Sequence, residues 1–508
     1  MRYRAVLFLI FWCLGIKAQS RLGNVPMHRY IEKEYVKTLV KDGGTSSIRP
    51  FIYEDHADSL NADYNLFLSE TDSRNARLKL LTDIESGLDR SINGNAAAIH
   101  GGLGFGAEYN LKNRLSFSLD AVANYLDGPS YVDSSIAEKH IAPSFGRVVD
   151  VGSAYGHLQM QGYIHYKANK FFTFQLGNGK NFFGDGYRSL LLSDVANNYP
   201  YFKIRTKVWK ISYVNLFARQ RHIYGVEDNP GLFKGKYTAT HYLDWDLSKV
   251  VNIGLFESIV WQSQDTLLNR GFDFNYANPI IFYRPVEYQQ GSADNAIMGL
   301  NVSVNICEKI KVYGQLVIDE FLLSEIRADS GWWANKYGGQ IGVKSYDFLL
   351  EGLDLQSELN AVRPYTFSHG SPVQNYAHDN SSLSNPLGSN FWEWVNFIRF
   401  TKDKWIFEEQ LVLASHGQDS IPSISYGGNI FQPYSNRPND YGNFIGQGLR
   451  TNLFYSHLRI SYLVFPKTNL RAELGYVFRQ ERSGLEFESN HYVYIGLKTN
   501  LWNRYNDF

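Results

Sequence analysis

From about residue 78 to residue 501, runs of alternating apolar and polar side chains are separated by connections that are by turns very short and very long. Alternation with a period of two means strands, because successive side chains on a strand point to opposite faces. The stretch 202–219 shows the unit. Phe202, Ile204, Thr206 and Val208 alternate with Lys203, Arg205 and Lys207; after a break at Trp209 and Lys210, Val214, Leu216 and Ala218 alternate with Tyr213, Asn215 and Arg219. In a soluble sandwich the apolar face turns inward, whereas in an outer-membrane barrel it turns to lipid and the lumen takes the charged residues. On the barrel reading Arg205, Lys207 and Arg219 line the lumen.

The connections choose between the two. Short turns fall near 111–114, 168–170, 209–210, 248–250, 307–309, 401–404 and 465–468. Between them lie polar stretches at 127–154, 179–200, 221–236, 263–296, 321–336, 368–390 and 416–446. One trimmed rim and one elaborated rim are what periplasmic turns and extracellular loops produce. Counting from a strand near 79–90 to one near 491–501 gives about 18 strands, with 16 as the alternative, and puts both barrel ends on the periplasmic side. The fold expected is therefore an all-β transmembrane barrel over 78–508 in the cell outer membrane.

Arg2 and Arg4 precede an apolar run at 5–16, and Ala18 ends it, the charged, apolar and small order of a secretory signal. The run is shorter than the roughly 20 residues a spanning helix needs, so cleavage after Ala18 is expected, with 1–18 as the signal peptide. Cys13 follows the bulky Ile10, Phe11 and Trp12 and lacks the setting of a lipid-anchored cysteine. Residues 19–77 then make a periplasmic segment, part helical, in which 26–39 is either one short amphipathic helix or a frayed tail. Met27, Tyr30, Ile31, Tyr35 and Leu39 sit at near-helical spacing over 26–39, and Gly43 and Gly44 end the pattern. The polar stretch 45–75, with Glu54, Asp55, Asp58 and Asp63, either braces the lower mouth of the barrel or is a solvated face.

Aromatic residues are 15% of the chain although its mean hydropathy is -0.31, which suits a barrel that dilutes lipid-facing residues with lumen residues and collects aromatic girdles at both interfaces. Lys+Arg 50 balance Asp+Glu 50, so no overall field favours nucleic acid. Once Cys13 leaves with the signal, Cys307 has no partner for an internal disulfide.

The connection 180–200 contains Gly184 and Gly186, which permit a tight reversal, followed by Leu190, Leu191 and Leu192, which must tuck against something. Such a loop folds inward. Its residues Phe183, Gly184, Gly186, Ser189, Leu190, Leu191, Leu192 and Ser193 resemble the outer-membrane capsule assembly Wzi family and its gliding motility RemB-like relatives. A second resemblance runs from Asn278 through Pro279, Ile280, Ile281, Phe282, Tyr283, Arg284, Pro285 and Val286 to Glu287, then Asp294, Asn295, Ala296, Gly299 and Leu300. Capsule-type members carry paired tryptophans and a proline about the two glycines, where this chain has Phe182, Phe183 and Asp185, and a later arginine that 194–200 lacks. The departure favours the motility-associated branch. The resemblance implies an occluded barrel.

No phosphate-cradling G-x-x-x-x-G-K-[ST], H-E-x-x-H or G-x-S-x-G motif occurs, so neither catalytic residues nor a metal or other cofactor is expected. Glycan binding needs flat aromatic faces against sugar rings, with amides, carboxylates and arginines fixing hydroxyls. Trp332 and Trp333, beside Asn335, Lys336 and Tyr337, are candidates, as are Arg284, Glu287, Asp294 and Asn295. The bland alternatives are an aromatic girdle for the tryptophans and an Arg284–Glu287 pair that pins a loop; Phe391, Trp392 and Trp394 are read as girdle. The expected function is a non-enzymatic surface protein that binds or anchors extracellular polysaccharide, capsule or slime, or supports adhesion and gliding. Its partners are outer-membrane lipid, polysaccharide and motility or adhesion proteins. The alternative is a porin-like diffusion channel, and behind it an outer-membrane lipid-modifying enzyme.

Overall fold

The computed structural model describes residues 22–52, 76–92, 94–111, 114–264, 270–281, 294–499 and 501–508. They form a closed antiparallel barrel of 18 strands. In chain order these are β1 (Ala76–Ser91), β2 (Gly94–Leu111), β3 (Leu115–Asp127), β4 (Ala154–Lys167), β5 (Phe172–Gly179) and β6 (Tyr199–Val208). There follow β7 (Ile211–His222), β8 (Lys234–Asp246), β9 (Val251–Gln262), β10 (Asn295–Cys307), β11 (Ile310–Glu320) and β12 (Lys336–Tyr346). The wall ends with β13 (Leu353–Val362), β14 (Phe391–Lys402), β15 (Trp405–Gln418), β16 (Leu449–Phe465), β17 (Leu470–Ser483) and β18 (Glu486–Lys498). β18 closes on β1 from Asp83↔Lys498 to Ser91↔Asn490, so the wall has no open edge and its backbone polar groups are paired without water.

The outward face carries large apolar side chains in the open: Leu88, Ile341 and Ile495 are 70%, 61% and 66% exposed. A belt of that kind is stable only against hydrocarbon, and the protein is an outer-membrane barrel. No described helix is long and apolar enough to cross a membrane. Trp392 and Trp394 lie on the outward face as girdle residues, but Phe391, one step from Trp392, points inward and is fully buried.

One end is trimmed and the other elaborated, as the spacing predicts, with two exceptions on the loop end. β1 pairs with β2 up to Ser91↔Gly94 and β17 with β18 up to Ser483↔Glu486, so both pairs are tight hairpins. The loop rim is therefore low where β17, β18, β1 and β2 run side by side.

The interior is packed. At the turn end lies α1 (Arg29–Asp42), which begins three residues later than the spacing suggests because His28 accepts the Tyr30 N–H as the N-cap, and which stops at Gly43, whose φ is +76°. Its Ile31, Tyr35 and Leu39 pack with Phe51, Leu81 and Leu501. Its polar side carries Arg29, Lys33 and Lys37, paired with Glu408, Asp354 and Asp347 of the wall and its turns at 2.5 Å each. Residues Ile48–Arg49 then add to Phe182–Phe183 of the second long loop as a two-stranded ladder inside the lumen. The signal segment and the acidic stretch from Glu54 to Asp63 lie outside the described residues.

This packing inverts part of the sequence reading. Phe202 faces outward and Lys203 inward as expected, and Arg205 and Lys207 share the inward face. On β7, however, Val214, Leu216 and Ala218 face inward, in one apolar core with Phe183, Leu190 and Leu191, while Arg219 faces outward and is exposed. Arg219 does not line the lumen. A rule of polar inside and apolar outside presumes water in the lumen, and this sector is filled by a folded loop instead.

Candidate functional site

The loop 180–198 is the centre of the filling. Phe183 stacks on Tyr242 of β8 with ring centroids 4.6 Å apart, and Leu190, Leu191 and Leu192 are buried beneath it. Polar side chains of the wall bind the loop's backbone: Gln315 accepts from the Leu190 N–H at 2.8 Å, and Glu358 from those of Tyr187 and Arg188 at 2.8 and 3.0 Å. Gly184 has φ +141°, and a Cβ there would strike Gln315; one on Gly186 would strike Glu358. Both glycines are needed because the backbone runs flush against the wall. Ser189 donates to the Phe183 carbonyl at 2.6 Å, and Ser193 donates to the Ser384 carbonyl of the loop 363–390, which presses down from above. The eight family-like residues of this loop are thus plug scaffolding.

The C-terminal residues 501–508 complete the plug. Asn503 accepts from the Arg29 N–H at 3.1 Å and donates to Asp194 at 3.0 Å, joining both chain ends to the loop. Above it Arg188 bridges Glu393 at 2.7 Å and Asp507 at 3.0 Å, all three side chains being at most 1% exposed. Among the plug segments lie small cavities of about 40 and 90 Å³.

The other family-like loop lies on the opposite side of the wall. β7, β8 and β9 turn Phe217, Tyr237 and Trp261 outward, and residues 270–281 fold down over them as a strap. Trp261 is fully buried, 4.9 Å from the ring of Tyr276, and Phe272 meets Phe217 and Tyr237 edge-on. Lower down, the Pro279 carbonyl accepts from the Tyr213 hydroxyl at 2.6 Å. Arg270 pins the strap to Asp273 and Asp294, each at 2.8 Å, and Asp294 also accepts from Tyr276 at 2.7 Å and from Gln374 at 2.9 Å. Asn295 donates to the Gln374 carbonyl at 3.0 Å. Asp294 and Asn295 are therefore buried ties between strap, wall and inner loop; Arg284 and Glu287 lie outside the described residues.

Trp333 belongs neither to the girdle nor to an open groove, and Trp332 lies half-buried beside it with ring centroids 6.3 Å apart. Trp333 is caged by Tyr434 at 4.8 Å, by Tyr365 and by the Arg437 guanidinium 4.0 Å above its ring, and its backbone N–H donates to the Asp440 carbonyl at 2.8 Å. These contacts weld the loop 321–335 to the loop 419–448.

The open concave space lies elsewhere, at the loop end above the plug, as a vestibule of about 670 Å³ beside the low part of the rim. Its inner wall is α2 (Ser130–Lys139), anchored where Ser130 donates to Asp89 of β1 at 2.6 Å and accepts from Asn490 of β18 at 2.7 Å. This anchoring directs Tyr131 and Lys139 into the space. Arg479 of β17 lies with its guanidinium 5.1 Å from the Tyr131 ring centre and donates to Glu481, with Glu488 of β18 at 3.8 Å. Tyr224 and Phe431 stack at 5.2 Å on the far side, and Phe508 carries the Lys139 ammonium 5.2 Å over its ring.

Burial governs the charges here. It pushes the Asp133 carboxyl up to about 6, against the Gly128 N–H that favours the ionised form. It raises Asp419 as well, despite the Tyr426 N–H, and lowers Lys139 in spite of Glu138 and Glu481 nearby. Among the described residues no group of three or more His, Cys, Asp or Glu side chains is placed to hold a metal ion. The vestibule offers aromatic faces, a guanidinium and carboxylates around a space the size of a small-ligand pocket. None of its residues was singled out from sequence. Their signal was a density of charge at the loop ends of β17 and β18 around the tightest hairpin.

No family model and no curated protein matches the sequence. Among solved structures, the barrel is similar to Wzi of Escherichia coli, an outer-membrane protein involved in group 1 capsule assembly and described as a carbohydrate-binding β-barrel, with a TM-score of 0.56 and 12% identity over 93% of this chain and 99% of that one. OccAB2 of Acinetobacter baumannii follows at 0.45 and 10% identity, over 83% of this chain and 97% of that one. A BenF-like porin from Pseudomonas fluorescens gives 0.43 and 10%, over 83% and 98%.

Proposed function

We propose that this protein is a non-enzymatic outer-membrane surface protein that binds extracellular polysaccharide in the vestibule, anchoring capsule or slime or serving adhesion and gliding. The observation that carries the reading is an aromatic and charged cavity of about 670 Å³, open at the loop end and floored by a packed plug. Sugar rings stack on Tyr131, Tyr224 and Phe431, while Arg479 and the carboxylates bind hydroxyls. The likeness of the whole barrel to a carbohydrate-binding barrel supports the same reading. The plug weighs against a diffusion channel, since three chain segments share hydrogen bonds across the lumen.

Deleting the gene and measuring both retention of surface polysaccharide and movement on agar and glass tests the proposal. Loss of one or both is expected, and complementation with Tyr131→Ala together with Arg479→Ala should fail to restore it. Unchanged behaviour in both assays would sink it.

A further inference from the structure

The donors and acceptors that face the vestibule are unevenly satisfied. Arg479 is 6% exposed, yet its Nε has no hydrogen-bond acceptor and its Nη1 faces only Glu488 at 3.8 Å, beyond hydrogen-bond range. A buried N–H left unpaired is costly, so these two call for an acceptor from outside the chain. The Asp419 Oδ2 atom, just past the end of β15 in the same lining, is likewise buried without a donor. Glu481 and Glu488 stand directly opposite each other on β17 and β18, both facing in. Like charges in that position repel.

The charge of Arg479 is already shared between those two carboxylates, so it offers directed N–H groups with no net positive field. Glu138 and Glu486 add further negative charge, and Lys139 is the other cation of the lining. Resting on the reading of the vestibule as a glycan site, we infer that its ligand is an uncharged, hydroxyl-rich glycan and that polymers of uronic acids are rejected. Hydroxyls can do both jobs at once. Their oxygens accept from Arg479, and their protons go to Asp419, Glu481 and Glu488, which relieves the repulsion across the hairpin. A uronate brings a further carboxylate into the same space and can donate nothing from it.

The test uses the full barrel in lipid nanodiscs and titrates three sets of oligosaccharides of matched length: neutral glucans, mannans and galactans; oligogalacturonates; and oligomers of glucosamine. A neutral set should bind, with oligogalacturonate at least about tenfold weaker at low salt and the gap narrowing as salt screens the carboxylates. Glu481→Gln with Glu488→Gln should raise the ratio of oligogalacturonate to neutral binding by about tenfold, even as neutral binding itself weakens, and an unchanged β-sheet circular dichroism spectrum shows that the variant is folded. Tightest binding of oligogalacturonate to the wild type, lost in Arg479→Gln, would overturn the inference and leave the glycan reading standing, and so would a clear preference for glucosamine oligomers. Binding of none of the sets, or binding indifferent to every vestibule substitution, would remove both.

Discussion

The two loops that carry the family-like residues have opposite fates. The loop 180–198 goes inward, where β6 to β9 present Tyr201, Val214, Leu216, Tyr242 and Phe256 to its leucines. The strap at 270–281 goes outward, where the same strands present Phe217, Tyr237 and Trp261 to Phe272 and Tyr276. Each follows the apolar surface within its reach. The teaching is that this sector of wall is apolar on both faces, so a long connection springing from it can fold to either side. Where no long loop springs from the wall, between β17 and β18 and between β1 and β2, the space above the plug stays open as the vestibule.

The comparison can be broken most severely on the inner side. Arg188→Ala leaves Glu393 and Asp507 buried without their cation, a loss of about 3–5 kcal/mol, and should loosen the plug enough to give ion currents in planar bilayers where the wild type gives none. Wild-type currents of the same size would mean that the lumen is not closed by this loop. Next comes Gly186→Val, which drives a side chain into Glu358 at a cost of about 1–3 kcal/mol and should make the loop 180–198 cleavable by added protease.

On the outer side effects should be smaller. Arg270→Ala removes the clamp to Asp273 and Asp294, worth about 1–3 kcal/mol, and should expose the strap to protease while leaving conductance unchanged. Conductance that rose as in Arg188→Ala would contradict the separation of the two loops by the wall. The smallest effect concerns α2. The Asp133 carboxyl is raised from 3.8 to about 6 in the fold, so its protonated form is the favoured one. Its contribution to stability is full below the unfolded value and disappears as pH rises through about 6. Hydrogen exchange over 128–140, corrected for intrinsic rates, should therefore show weaker protection at high pH, and Asp133→Asn should abolish the difference while keeping the Gly128 hydrogen bond.

The legibility of the chain followed the range of the forces involved. Alternation along a strand is set by neighbours two residues apart, so the wall, the strand number and the trimmed turn end could be read directly. The inward fold of 180–198 was legible too, since glycines followed by three leucines cannot stay in water. The sign of β7 was not, because Val214 and Leu216 look lipid-facing until the lumen is known to hold a loop. Trp333 offered itself as a sugar platform, and the residues that cage it, Tyr365, Tyr434 and Arg437, come from other loops.

By itself the sequence determined the barrel, its parity and its outer-membrane setting, because strand periodicity and connection length are local and a closed ladder is the only sheet that hydrocarbon tolerates. The tertiary structure alone decided which face of the wall each long loop covers and which residues share the vestibule. Tyr131 and Arg479 stand far apart in the chain and meet because the wall closes between β18 and β1, leaving the rim low at that seam.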